Sequence, residues 1–103
     1  MNLNIKKSLT SNWFKTLQDV FCDDICKIEK NKIQFKSKNW KRNFEKDEGG
    51  GEYRILQNGK VFEKVGVNFS EVYGMFPKQF QKNIPGAKKD PRFWASGISV
   101  VMH

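Results

Sequence analysis

The stretch "GGGEYRILQNGKVFEKVGVNFSEVYG", residues 49–74, combines three consecutive glycines, an Asn-Gly pair and a run that mixes valines with small polar residues. Asn58 and Gly59 both tolerate the positive backbone angles of a tight turn, so the pair predicts a two-residue β-hairpin. The predicted strands are residues 52–57 and 60–70. Directly opposite residues then form these pairs: Gln57 with Lys60, Leu56 with Val61, Ile55 with Phe62, and Arg54 with Glu63.

The second hairpin strand has two unlike faces, because successive side chains of a strand point to opposite sides. The face predicted to lie on the core carries Val61, Glu63, Val65, Val67 and Phe69. The other face carries Phe62, Lys64, Gly66, Asn68 and Ser70. A fully packed sheet would have bulky side chains on this second face, which instead carries small and polar groups. Asn68 and Ser70 are therefore candidates for a pocket wall. For Arg54, an ion pair with Glu63 is favoured over a ligand-binding role.

The glycine triplet raises the question of a phosphate-binding loop. Such loops continue into a helix and carry spaced glycines or a Lys-Ser/Thr ending, whereas a strand pattern follows here. The nucleotide-binding interpretation is therefore rejected. Two alternatives stay open: the glycines let a ligand or another strand approach the backbone closely, or they form a flexible turn.

The last twelve residues, "RFWASGISVVMH", repeat the asymmetry of the hairpin strand. A strand over residues 93–103 places Ala95, Gly97, Ser99 and His103 on one face. Ser99 and His103 are then roughly 13 Å apart, at about 3.3 Å per residue. That separation is too large for a nucleophile and its base, which excludes a serine hydrolase. Two interpretations of this face remain. It is a surface on which something flat could lie, or it belongs to an ordinary half-exposed strand.

Apolar residues spaced three and four apart predict an amphipathic helix over residues 11–30, packed on the sheet of its own domain. They are Trp13, Phe14, Leu17, Val20, Phe21, Ile25 and Ile28. Thr10 or Ser11 is the predicted cap. The segment "KIQFKSKNW" predicts an edge strand at about residues 32–37, and the charged run "KRNFEKDEGGG" predicts a loop. The fold class is therefore α+β, an antiparallel sheet with an N-terminal helix packed on it.

Composition indicates one soluble domain of 103 residues, 38% of them hydrophobic. The sequence shows neither a membrane-spanning apolar run nor a signal peptide, so a cytoplasmic location is expected. Cys22 and Cys26 share a helix face and, with a single distant histidine, cannot alone make a four-ligand zinc site. We expect them to be half-buried free thiols.

The formal net charge of +8 favours anionic partners without naming one. The lysines are spread from Lys6 to Lys89, and no nucleic-acid-binding fingerprint appears, so no nucleic-acid role is expected. A non-catalytic basic module that binds nucleic acid or a protein partner remains the alternative function, supported by charge alone.

The hairpin stretch together with "FWASGISVVMH" resembles the amino-terminal part of oxygen-dependent coproporphyrinogen III oxidase, from about Trp40 to His103. The resemblance implies a soluble homodimer with a larger, helix-flanked antiparallel sheet. It implies an oxidoreductase of haem biosynthesis that converts the ring A and B propionates of coproporphyrinogen III to vinyl groups, giving protoporphyrinogen IX. Molecular oxygen is the co-substrate, and no organic cofactor is expected.

The same resemblance assigns roles to two residues. Ser99 matches the family's substrate-contacting serine, and His103 matches a histidine that bacterial members use as a divalent-metal ligand. No catalytic residue is expected within this chain, because the family's proton-donor histidine would lie beyond residue 103. Family members are roughly three times as long, so the chain resembles an amino-terminal fragment, inactive alone and dependent on a carboxy-terminal partner chain. Strands that lack their usual neighbours predict self-association.

Overall fold

The computed structural model describes residues 2–30 and 33–103. Within these ranges two helices and four strands follow one another in this order: α1 (Leu3–Glu29), β1 (Lys36–Lys41), β2 (Gly49–Gln57), β3 (Lys64–Met75), α2 (Lys78–Gln81) and β4 (Arg92–Met102). The strands form one antiparallel sheet in the order β1-β2-β3-β4, and α1 packs across β3 and β4. The predicted fold class is confirmed. Neither helix among the described residues has the length and apolarity that a membrane span requires.

Helix α1 begins at Leu3, so the predicted start at residue 11 is wrong. The cap is Asn2, whose side-chain oxygen accepts a hydrogen bond from the backbone N–H of Ile5 at 2.8 Å. An Asn side chain in this position satisfies one of the unpaired N–H groups of the first turn. Thr10, one of the two predicted caps, lies inside the helix and donates its hydroxyl to the Lys6 carbonyl.

The helix face that meets the sheet is more polar than predicted. Its buried residues are Ser11, Gln18, Cys22, Ile25 and Glu29, while Trp13, Val20, Phe21 and Ile28 of the predicted apolar stripe are exposed. The buried polar groups have partners in the sheet. Gln18 donates its amide to the carbonyls of Glu52 at 2.9 Å and Val67 at 3.1 Å. Burial without loss of hydrogen bonds explains why polar side chains occupy this face.

The β2–β3 hairpin is present, but its predicted two-residue loop is wrong. The loop runs from residue 58 to 63, and the register pairs Gln57 with Lys64 and Arg54 with Val67. The Glu29 carboxylate accepts hydrogen bonds from three consecutive loop N–H groups, those of residues 60, 61 and 62, at 2.7 to 3.1 Å. These bonds hold the loop out of the β-ladder, although Asn58 keeps the positive φ that the turn prediction required.

The register shift is an even number of residues, so the predicted faces survive it. Val65, Val67 and Phe69 are buried, and with Leu56, Cys22 and Ile25 they make the core under α1. The two remaining members of the predicted core face, Val61 and Glu63, lie in the exposed loop instead.

Two strand boundaries also differ from prediction. Strand β1 covers Lys36–Lys41 instead of residues 32–37, and Lys32 lies outside the described residues. Strand β2 includes the glycine triplet that was assigned to a loop. A Cβ on Gly50 would lie 2.1 Å from the Trp40 carbonyl oxygen, and one on Gly51 would lie 1.9 Å from that of Phe69. The triplet therefore allows neighbouring strands to approach closely, one of the two predicted alternatives.

Candidate functional site

The sheet face opposite α1, called here the open face, brings together the polar residues singled out from the sequence. Cross-strand pairing builds one row of four side chains across it: Lys38, Tyr53, Asn68 and Ser99. The adjacent row is Trp40, Gly51, Ser70 and Gly97. Asn68 and Ser99 are direct cross-strand partners, and Ser70 lies beside them. The side chains of Asn68, Ser70 and Ser99 thus share one face of the sheet.

The open face is flat around Ser99. A Cβ added at Gly66 or at Gly97 would meet no atom within 4 Å, so nothing in the described chain lies over either glycine. Ala95 and Ser99 are themselves exposed. A planar or saucer-shaped ligand could therefore contact the backbone of β3 and β4 directly, which is what small residues in a binding wall permit.

Trp40 is a member of this face that sequence reasoning missed. Its indole crosses β2 above Gly51, where a Cβ would lie 2.9 Å from the ring, and its Nε1–H donates to Oδ1 of Asn68 at 3.0 Å. This bond fixes which way the Asn68 amide points and directs its NH₂ group away from the indole. The sequence signal that could have identified Trp40 is Gly51 on the neighbouring strand, because a glycine makes room for an aromatic ring.

The charged strand residues of the open face are all basic: Lys36, Lys38 and Lys64. The strand acids Glu52 and Glu71 point to the helix side, where Glu52 bonds Arg54 and Glu71 accepts the hydroxyl of Ser11 at 2.5 Å. On the described strands, acids and bases are therefore mixed on the helix side, whereas the charges of the open face are all positive. Such a surface attracts anions and raises their local concentration.

Arg54 pairs on the helix side, and the predicted partner Glu63 is wrong because of the register shift. Its guanidinium contacts the Asp19 carboxylate at 2.8 Å and that of Glu52 at 3.1 Å. The hydrogen bond from Arg54 lowers the pKa of Glu52 and, reciprocally, raises the pKa of Arg54. The expected structural role of Arg54 is confirmed, with different partners.

One cavity, of about 770 Å³, lies away from the open face. It is a groove on the helix side between α1, β1 and β2, and the loop of residues 42–48 closes one end. Some of its charged groups have partners within the groove: Arg54 pairs with two carboxylates, and Asp47 accepts a hydrogen bond from the Tyr73 hydroxyl. The Tyr73 bond lowers the pKa of Asp47, and the same bond raises the pKa of Tyr73. The groove mixes acidic and basic groups, whereas the strand charges of the open face are all lysines, so we place the candidate site on the open face.

His103 follows β4 at the end of the open face. Its backbone N–H donates to the Lys64 carbonyl at 2.9 Å, and its carbonyl accepts from the Glu63 N–H at 2.8 Å. The imidazole borders a small depression formed by residues 57, 58, 63 and 64. Within the described ranges, no group of three or more His, Cys, Asp and Glu side chains could hold a metal. The residues around His103 therefore do not fit a divalent-metal site by themselves.

The two cysteines take no part in the candidate site. Cys22 is buried in the core beside Arg54, and Cys26 is half-buried; both are free thiols, as predicted. Burial raises the pKa of the Cys22 thiol, although a hydrogen bond from Arg54 opposes that change. A buried, protonated thiol is a poor nucleophile, which suits a packing role.

Comparison with known proteins identifies relatives over nearly the whole chain. Residues 9–103 match the family model described as coproporphyrinogen III oxidase. The chain is 45% identical over 101 residues to an oxygen-dependent coproporphyrinogen-III oxidase of Rickettsia akari (strain Hartford), covering 94% of this chain and 36% of the relative. It is 42% identical over 106 residues to the protein of that name from Rickettsia africae, covering 98% of this chain and 38% of the relative. The chain thus spans little more than a third of the length of the curated relatives it matches.

Proposed function

The chain belongs to the coproporphyrinogen III oxidase family, and we propose that it supplies one wall of the substrate site of such an oxidase. The observation that carries this proposal is the row from Lys38 to Ser99 on a flat face without acidic strand residues. The proposed substrate, coproporphyrinogen III, is a tetrapyrrole with four propionates, so its size and charge suit a broad basic surface.

Lys38, Asn68 and Ser99 of the row, and Trp40 of the adjacent row, each have a proposed task. The Ser99 hydroxyl and the Asn68 amide contact the macrocycle or a propionate, because both side chains project into the open space beside Gly97. Trp40 is proposed as a positioning residue, since its indole N–H holds the Asn68 amide in one orientation. Lys38 lies roughly three strand spacings, about 14 Å, from Ser99 and would attract a propionate at the far side of the ring.

The proposed reaction converts a propionate side chain to a vinyl group, as the resemblance implies. The carboxyl group leaves as CO₂, the side-chain carbon attached to the pyrrole ring loses a hydrogen, and the two electrons pass to O₂. The atoms balance when one O₂ becomes one H₂O₂ for each propionate. The electron-rich reduced tetrapyrrole reacts with oxygen, and the chain's own residues hold and orient it.

We infer that this chain does not turn over substrate by itself. Proton removal needs a general base within hydrogen-bonding reach of the substrate. Among the described strand residues no carboxylate points to the open face, and the single histidine of the sequence, His103, lies at the far end of the face from Gly97 and Ser70. The acid and base groups would come from a partner chain that corresponds to the remaining two thirds of the relatives. A metal role for His103, a homodimeric enzyme and a cytoplasmic location stay predictions.

The experiment is reconstitution of oxidase activity. Two samples are compared: the purified chain alone, and the chain mixed with the carboxy-terminal two thirds of the Rickettsia akari enzyme. Each is loaded with coproporphyrinogen III under anaerobic conditions and then exposed to oxygen. We expect protoporphyrinogen IX and CO₂ only from the mixture. The control mixture contains Ser99→Ala, which we expect to raise KM because the exposed serine contributes binding.

Two outcomes would contradict the proposal. Turnover by the chain alone would refute the inferred absence of acid-base groups. A mixture that forms a complex but in which Ser99→Ala changes neither kcat nor KM would show that the open face does not contact the substrate.

A further inference from the structure

Arg42 lies at one end of the open face, just beyond the end of β1. Its backbone N–H donates to the Gly49 carbonyl at 3.0 Å, so the pairing of β1 with β2 continues to this residue. Residues two apart on a strand share a face, and Arg42 therefore projects to the same side as Lys38 and Trp40.

Three contacts fix the position of the Arg42 guanidinium. Its Nη1 donates to the Tyr73 carbonyl at 2.9 Å and contacts the Glu48 carboxylate at 3.3 Å, and its Cζ lies 4.9 Å from the centre of the Phe93 ring. Gly74, the cross-strand partner of Phe93, makes room for the group, since a Cβ there would lie 2.9 Å from Nη1. The guanidinium is thus held in one place over β3 and β4.

One edge of this guanidinium is free to bind another group. Both polar contacts are made by Nη1, whereas Nε and Nη2 form no hydrogen bond with the residues that the structure describes. The side chain is 39% exposed. Nε and Nη2 carry two parallel N–H groups, the pair of donors that binds both oxygens of one carboxylate. Arg54 shows that a guanidinium of this chain can contact two carboxylates at once, those of Asp19 and Glu52.

We propose that Arg42 is a specificity-determining residue of the substrate site, where its Nε–Nη2 edge binds one propionate of coproporphyrinogen III. This inference rests on the proposed function. Along β4, Ser99 and Ala95 are roughly 13 Å apart at about 3.3 Å per residue, and the guanidinium lies beyond Ala95, against Phe93. No described residue lies over Gly97 between them. A tetrapyrrole that contacts Ser99 at one side of its rim therefore extends towards Arg42 at the other.

The fixed position gives Arg42 a different task from the lysines of the open face. A lysine ammonium is a point charge on a flexible stem, so Lys36 and Lys38 attract anions of many shapes. A guanidinium edge requires a planar carboxylate in one orientation. Arg42 therefore selects tetrapyrroles that carry a carboxylate at the rim nearest Phe93, and it orients the ring relative to Ser99.

Three variants test the role of Arg42 in binding coproporphyrin III, which carries the four propionates of the proposed substrate. Arg42→Gln removes the guanidinium, and Arg42→Lys keeps the charge but not the paired donors. The matched control is Arg92→Gln, which removes the same charge from the same end of the sheet but on its helix side. Fluorescence titration should show at least tenfold weaker binding by R42Q, at least threefold by R42K and at most twofold by R92Q. Circular dichroism checks that all three remain folded.

A second measurement needs no variant. In ¹⁵N NMR spectra of the unmodified chain, the Nε–H resonance of Arg42 should shift as coproporphyrin III is added, because that N–H enters a new hydrogen bond. The Nε–H resonance of Arg92, which already donates to Asp90 at 2.9 Å, should stay in place. A side chain that only stabilises the fold would give no such shift.

Failure of this inference and failure of the proposed function give different results. If Ser99→Ala weakens binding while R42Q and the Arg42 resonance show no effect, the inference alone is overturned. Equal weakening by R42Q and R92Q, or unchanged binding by R42K, would mean that only net charge matters and would also overturn it. A chain that does not bind coproporphyrin III at all would overturn the proposed function and this inference together.

Discussion

The two faces of the sheet are made from the same strands and yet differ in burial, in charge and in the space above them. On the helix side, Leu56, Val65 and Val67 have no exposed surface, and the acids Glu52 and Glu71 are each bonded to a neighbour. On the open face, the strand charges are all lysines, and the space above Gly66 and Gly97 is empty. Alternation along each strand separates these sets completely.

The two faces separate the residues that stabilise the domain from those that are available for binding. Side chains with buried partners on the helix side stabilise the fold, so changing them should lower the free energy of unfolding. Side chains on the open face make few contacts within the domain. Changing them should therefore alter binding and leave the free energy of unfolding nearly unchanged.

The largest effect on stability is expected at the centre of the helix-side core. Leu56→Ala removes a fully buried side chain that packs against α1, so it should lower the free energy of unfolding by about 2–5 kcal/mol. Urea denaturation measures this change. Val101→Ala, on the exposed open face, is the control and should stay within about 0.5 kcal/mol of the unmodified chain. Equal losses from both changes would remove the distinction between the faces.

A smaller, pH-dependent effect on the free energy of unfolding is expected from a change at Glu29, which connects α1 to the β2–β3 loop. Hydrogen bonds from the N–H groups of Phe62, Val61 and Lys60 lower the pKa of Glu29 from its ordinary 4.5. A lowered folded-state pKa contributes stability that is present above about pH 4.5 and lost as the pH falls through the lower folded value. The stability difference between the unmodified chain and Glu29→Gln should therefore shrink between pH 6 and pH 3. A constant difference over this range would show that the carboxylate charge is irrelevant to the loop.

The smallest effect is expected from one lysine of the open face. Lys38→Gln should weaken binding of coproporphyrin III, which carries the same four propionates as the proposed substrate, by about two- to fivefold, as expected for an exposed charge pair. Lys41→Gln is the matched control, because Lys41 lies on the same strand but points to the helix side. Fluorescence titration at low salt measures both. Equal weakening would mean that only net charge matters.

Local patterns in the sequence were sufficient to predict which residues share a face of the sheet. Alternation placed Asn68, Ser70 and Ser99 on one side correctly, because the two-residue period of a strand survives an even shift in register. The helix, the hairpin and the free cysteines followed from equally local signals. The resemblance added the family, which the comparisons bear out.

Long-range contacts account for what the sequence did not predict. The loop length depends on Glu29, which lies about thirty positions before the N–H groups it binds. The partner of Arg54 depends on where α1 places Asp19. Trp40 joins the open face only because Gly51 of the next strand leaves room for its ring. Each of these contacts joins residues that no short sequence window contains together.

The most direct test of the central claim is a residue-by-residue map of where the ligand binds. The ¹⁵N-labelled chain is titrated with coproporphyrin III, and amide chemical shifts are followed by NMR. The account predicts that the largest changes fall on Gly66, Asn68, Gly97 and Ser99. Changes confined to the helix-side groove, at Lys15, Asp19 and Glu45, would contradict it and move the binding site to the other face of the sheet.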